Sequence, residues 1–259
     1  MKTINIFLVL SILLSVSCSK ENSDSYGNLE SGSGGRGGSM ARFTLSGDML
    51  YIVSDNELKL FDVSTPDKPF YMQSRNQMLD FGVETIFPMD DFLFIGSQNG
   101  MYIYDITRPA FPRRLSHTVH ITACDPVAAQ GNYAYVTLNG SNDWCGRTSN
   151  ILQIYDIGDP TDPILVNTVE GMTSPRGLDV DGDKLLVCDN GLKMYDISTP
   201  DNPIWISDLA DVREMRNVDG YDVIMMNGTA LLIGNDGLYA LDYTGESLKF
   251  ISKLEVNND

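Results

Sequence analysis

The chain has 259 residues, of which 35 are acidic and 18 basic, for a formal net charge of −17, and 42 % are hydrophobic. That charge repels phosphate backbones and argues against nucleic acid as a partner, while the hydrophobic content is enough for a sizeable core. The acidity itself is what keeps an exported protein soluble.

The first element is an apolar run from about Ile4 to Val16, preceded by Lys2 as the sole charge and followed closely by Cys18. It is too short for a permanent membrane helix and reads as an export signal. The stretch "LSVSC" resembles the lipobox of bacterial lipoproteins, in which the cysteine becomes the lipidated first residue. The expectation is a lipoprotein signal peptide over residues 1–18 ending at lipidated Cys18, which implies an exported protein of the cell envelope, held at the outer membrane. Residues 19–40 carry no apolar periodicity and are crowded with Gly and Ser between Ser31 and Ser39, so they predict a flexible tether. The folded part is expected over 41–259.

From Ala41 onward short apolar runs alternate with turns, and an aspartate recurs at Asp62, Asp105, Asp156, Asp196 and Asp242, with spacings of 43, 51, 40 and 46. Periods of this size indicate solenoids or propellers. The runs are about five to seven residues long and rich in β-branched and aromatic types, which marks them as strands. Each unit supplies four: an inner strand, a second strand, a third ending in the aspartate, and an outer strand after two prolines. Units over 41–75, 79–118, 121–169, 174–210 and 219–255 predict an all-β fold, a five-bladed β-propeller of four-stranded antiparallel blades.

The repeated aspartate is expected to accept a hydrogen bond from the backbone two residues on, as an Asx turn. Pro66, Pro109, Pro160 and Pro200 preset φ in that turn. Pro69, Pro112, Pro163 and Pro203 open the outer strand, where a missing N–H protects the edge. A carboxylate repeated five times around a ring is scaffold, because a site is grafted once onto a repeated fold.

The segments "LKLFDVSTPDKP", "MYIYDITRPAFP", "LQIYDIGDPTDP" and "LKMYDISTPDNP", with "GNYAYV" as a preceding strand, resemble the LVIVD repeat. This propeller-forming unit is common in exported bacterial proteins, including lipoproteins of the Bacteroidetes type. The resemblance implies the propeller fold over nearly all of the chain from Ala41 to Leu254. It brings no catalytic motif.

Aligning the second strands on Tyr51, Phe94, Tyr135, Leu186 and Leu232 places Ala41, Glu84, Asp125, Arg176 and Asp222 at one point of the five inner strands. Four ionisable groups are thus expected to converge on one channel mouth. The long third-blade loop "LNGSNDWCGRTSN" shares that mouth and adds Trp144 and Arg147 as candidate ligand contacts. The bland alternative is a structural ion-pair ring in which Arg176 neutralises its neighbours. Cys124 and Cys145 fall at the same mouth and are a candidate disulfide closing a loop of about 20 residues, contributing on the order of 3 kcal/mol. Cys188 ends a second strand near the same face, so a pairing through it stays open.

Other signals are weaker. "DVDGDK" (Asp179 to Lys184) starts like a calcium loop but has its glycine misplaced, and a hairpin turn explains it better. His117 and His120 point to opposite faces of a strand, which disfavours a shared metal. No P-loop or G-x-S-x-G elbow is present, so neither cofactor nor metal is expected. The leading functional expectation is a lipid-anchored envelope module that binds a protein, glycan or small ligand at the mouth. A hydrolase or lyase acting on carbohydrate with the mouth's acids is the enzymatic alternative, and a structural subunit of an envelope complex is the third. The absence of a nucleophile–base pair in the sequence favours binding over catalysis.

Overall fold

Five tight turns organise the chain. In the computed structural model, which describes residues 37–54, 56–80, 82–119, 126–140 and 150–255, two-residue turns stand at 47–48, 90–91, 131–132, 182–183 and 227–228. Gly47, Asp90, Gly131, Gly182 and Asn227 open them with φ between 50° and 60°. Such left-handed turns match the twist of antiparallel strands, so each joins a first strand to a second as a hairpin.

Blade 1 contains β1 (Phe43–Ser46), β2 (Met49–Ser54), β3 (Glu57–Asp62) and an outer strand in two pieces, β4 (Phe70–Tyr71) and β5 (Gln77–Met78). A 3-10 turn at Gln73–Arg75 divides the pieces, and both pair with β3. Blade 2 comprises β6 (Val83–Met89), β7 (Phe92–Ser97), β8 (Gly100–Asp105) and β9 (Arg113–Val119). Blade 3 has β10 (Val127–Gln130), β11 (Tyr133–Leu138), β12 (Ile151–Asp156) and β13 (Ile164–Val169). Blade 4 has β14 (Pro175–Asp181), β15 (Lys184–Asp189), β16 (Lys193–Asp196) and β17 (Ile204–Asp208). Blade 5 has β18 (Gly220–Met226), β19 (Thr229–Gly234), β20 (Gly237–Asp242) and β21 (Lys249–Glu255). Within every sheet the strands pair antiparallel in chain order, and the five sheets form a five-bladed β-propeller. Each blade comes from one continuous stretch of chain, and among the described residues no strand is exchanged between the first and last blades.

The repeated aspartates all turn the chain the same way. Asp62, Asp105, Asp156, Asp196 and Asp242 each accept the backbone N–H two residues on, from Ser64, Thr107, Gly158, Ser198 and Thr244, at 2.7–2.9 Å. The hydroxyls of Ser64, Thr107 and Thr244 add a second bond to the same oxygen. Hydrogen bonds to the ionised form hold Asp62, Asp105, Asp196 and Asp242 below the usual carboxylate range. The turn prolines serve a second purpose. Tyr51 on β2 donates its hydroxyl to the carbonyl of Pro109 in the next blade at 2.8 Å, and Tyr135 on β11 reaches Pro200 the same way at 3.1 Å.

Three apolar clusters form the core: one between blades 1 and 2, one spanning blades 2 to 4, and one between blades 4 and 5. The middle strands β7, β8, β11, β12 and β15 are buried on both faces nearly throughout. In β2, β19 and β20 only alternate residues are buried. Among the described residues no helix is long and apolar enough to cross a membrane.

Ser39, assigned by composition to the tether, is fully buried, and its hydroxyl accepts the N–H of Leu178 at 2.7 Å. Small polar residues read as linker whenever their partners are distant in sequence, and here the partner lies 139 positions away. Cys18 and the rest of the leader lie outside the described residues.

Candidate functional site

Strand register provides a frame for comparing the inner strands. Met49 pairs with Asp62, Phe92 with Asp105, Tyr133 with Asp156, Lys184 with Asp196 and Thr229 with Asp242, so these ten residues mark equivalent points. Counting back eight residues from the first of each pair reaches Ala41, Glu84, position 125, Arg176 and Tyr221. Tyr221 takes the place expected for Asp222. Asp222 belongs one step further in, with Arg42, Thr85, Pro126 and Gly177. The expected alignment slipped because it matched apolar residues, and Leu231 and Leu232 are both apolar. The hairpin turns were the firmer landmark, since each immediately precedes the second strand.

Glu84 and Arg176 share a cavity of about 390 Å³ at the mouth, together with Met40, Arg42, Thr85, Pro126, Asn139 and Pro175, so residues of both registers line it. Asp222 is outside that lining and is 9 % exposed. Its carboxylate accepts the N–H groups of Val223 at 3.0 Å and Met40 at 3.3 Å, and the Ser39 hydroxyl at 3.3 Å. Burial pushes its pKa up to about 6, against these three donors. The carboxylate sits between two glycines whose side chains it excludes. A Cβ at Gly38 would stand 2.0 Å from Oδ2, and one at Gly177 would stand 2.1 Å from Oδ1. Residues 38–40 thus form a clasp that crosses from the start of blade 1 to the inner strands of blades 4 and 5.

The cavity carries a mixed charge. The Glu84 carboxyl is half-buried and its pKa is raised, chiefly by desolvation, with the Gln98 amide at 3.2 Å and the nearby Arg42 opposing the shift. Arg42 donates to the Val83 carbonyl at 3.2 Å. Arg176 pairs with Asp219 at 3.0 Å and lies over the ring of Tyr221, 4.8 Å from its centroid. Two guanidiniums and a carboxyl around one opening can bind an anionic group and a hydrogen-bond donor together. Among the described lining residues there is no nucleophile–base pair. Asp125, Trp144 and Arg147 lie outside the described residues. The stems of the loop that carries the latter two are anchored to the next blade: Asn139 donates to the Ser174 hydroxyl, and Asn150 to the Thr173 carbonyl. Buried Asp189 holds that same stretch by accepting the Thr173 N–H and pairing with Lys193.

Among the cavity residues that sequence reasoning missed are Met40 and Arg42. Both sit beside the boundary drawn between tether and propeller, and Arg42 is adjacent to the uncharged Ala41 that the alignment selected. Cys188 is a free, fully buried thiol packed behind Gly220, with its pKa raised by burial. Cys124 and Cys145 lie outside the described residues. His117 stacks on Tyr102 with centroids 4.0 Å apart, and its Nδ1 is 3.6 Å from the Asp80 carboxylate, which also accepts the Tyr102 hydroxyl.

Comparison with known proteins supports the repeat and the fold. The LVIVD repeat model matches residues 37–76 and 122–171. No match was found among curated proteins. A functionally unknown protein from Desulfotomaculum acetoxidans superposes with a TM-score of 0.62 at 12 % identity, over 81 % of this chain and 67 % of that one. AztD from Citrobacter koseri, in its apo form, gives 0.57 at 12 % identity over 79 % and 59 %. BamB from Moraxella catarrhalis gives 0.54 at 10 % identity over 74 % and 53 %, so this chain spans about half of that protein. At these identities the likeness concerns the fold alone.

Proposed function

From a propeller that carries LVIVD repeats, we propose a binding module of the cell envelope that takes a small polar ligand, or a polar group of a partner, at the mouth. The observation that carries this reading is the convergence of Glu84 from blade 2, Arg176 from blade 4 and Arg42 beside blade 1 on one cavity of about 390 Å³. A volume of that size suits a mono- or disaccharide or a short peptide end, and the walls combine apolar surface from Met40, Pro126 and Pro175 with a few convergent polar groups. The apolar leader and Cys18 support attachment by a lipid anchor. The carbohydrate hydrolase or lyase reading loses one of its acids, because Asp222 is committed to the clasp.

A thermal-shift panel of galactose, galacturonate, N-acetylglucosamine, glutamate and a Gly-Glu dipeptide tests the site. Stabilisation by at least one compound, abolished in both Arg42→Ala and Arg176→Ala, is the expected result. Absence of any shift, or a shift that both variants retain, overturns the proposal. Detergent-phase partitioning of the expressed protein, lost in Cys18→Ser, tests the anchor separately.

A further inference from the structure

The junction between blade 5 and blade 1 differs from the other four. In blade 4 the side facing the next blade presents Leu186 and Cys188, both fully buried against blade 5. The equivalent residues of blade 5 are Leu231, which is half-buried, and Ile233, which is 47 % exposed. On the receiving side, Leu93 and Ile95 of blade 2 and Leu185 and Val187 of blade 4 are fully buried. Their counterparts in blade 1 are Leu50 and Ile52, both half-buried, and their cross-strand neighbours Leu45 and Phe43 are 41 % and 61 % exposed. Among the described residues no apolar cluster joins these two blades. The clasp bridges them at the mouth, while Met226, at the opposite end of β18, is 50 % exposed.

The chain thus presents two facing sheet surfaces, each an apolar row at strand period and each left without a partner among the described residues. Contiguous apolar surfaces of this kind mark interaction sites. We propose that this seam receives a β-hairpin of a partner protein, apolar on both faces and basic at its ends. Continuity with the filled junctions carries the choice of a hairpin. Where a blade lies between two others, as in blades 2 and 3, both such surfaces are covered by an antiparallel pair of strands whose side chains are buried on both faces, as β7 and β8 are. A helix presents its apolar residues at a period of 3.6 and on one stripe, which fits one wall and not two. The net charge of −17 selects basic flanks. Because residues 38–40 close the mouth end, the hairpin enters from the rim or from the opposite end of the channel.

The experiment uses the full chain and, as probe, a labelled peptide copying Phe92–Asp105, the hairpin that fills such a position in blade 2, with two lysines added at each end. Saturable binding is expected, weakened at least tenfold by Leu45→Arg and by Ile233→Arg and unchanged by Trp205→Arg on the exposed rim of blade 4. Hydroxyl-radical footprinting of the free wild type supplies a readout independent of any variant. Phe43 and Met226 should be modified readily and become protected by the peptide, whereas Tyr51 should stay protected throughout. No saturable binding, equal loss in Trp205→Arg, or Phe43 and Met226 as protected as Tyr51 in the free chain overturns the proposal. So does a concentration-dependent dimer that excludes the peptide and is abolished by Ile233→Arg, which would assign the seam to a second copy of the chain.

Discussion

Leu186 and Leu231 occupy the same point of the same strand in neighbouring blades, yet Leu186 is fully buried and Leu231 is not. Identical residues at identical register differ only in whether a further blade packs against them. The contrast shows that each repeat specifies its own sheet and half of an interface, and that the other half must come from elsewhere. Blades 2 to 4 find it on both sides. Among the described residues, blades 1 and 5 find it on one side and are joined at the mouth by three residues of a segment that composition assigns to a linker.

The largest expected effect tests that contrast directly. Leu186→Ala should lower the unfolding free energy by about 3 kcal/mol, because a filled junction cannot collapse around the void. Leu231→Ala should cost about 1 kcal/mol, in proportion to the smaller area it buries. Urea midpoints of the two variants measure the difference, and equal costs would mean that the seam is as tightly packed as its neighbours.

The clasp comes next. Gly177→Ala places a methyl group 2.1 Å from the Asp222 carboxylate, and relieving the clash should cost about 2 kcal/mol and raise the proteolytic sensitivity of residues 37–42. The same carboxylate has a pH signature. Its folded pKa, about 6, is above its ordinary value of 3.8, so the folded state holds the proton more tightly. That contribution is fully present below pH 3.8 and is lost as pH rises through about 6, a change of about 2–3 kcal/mol. Asp222→Asn should remove it, so the gap in stability between wild type and variant at pH 4 and at pH 7 isolates this group from the turn aspartates. Those have lowered pKa values and lose their contribution as pH falls.

The smallest effect concerns the tyrosine ties. Tyr51→Phe removes the hydroxyl bond to Pro109 and should cost about 1 kcal/mol, read as a shift of the thermal midpoint. At the equivalent point of blade 5 stands Leu231, so the seam has no such tie to lose.

Much of the scaffold was legible because it is local. A two-residue turn, a run of alternating apolar residues and an aspartate that bonds its own backbone two positions on involve neighbours in the chain, and their repetition reveals the blade count. The placement of Glu84 and Arg176 at one mouth was also within reach, since both follow from counting along a strand. Asp222 was misplaced by one residue, and at its true position its carboxylate is held by Ser39 and Met40 of the clasp and does not line the cavity. Arg42 and Met40 were passed over because nothing local distinguishes them from the linker that precedes them.

The sequence by itself determined the repeat, the four strands of each blade and the turn chemistry that joins them. Only the tertiary structure decided how the ring is fastened. Closure depends on Ser39 meeting Leu178 and Asp222 across 139 and 183 residues, and on two glycines that leave room for a carboxylate between them. Contacts at that separation leave no periodic trace in the chain, because each is made once.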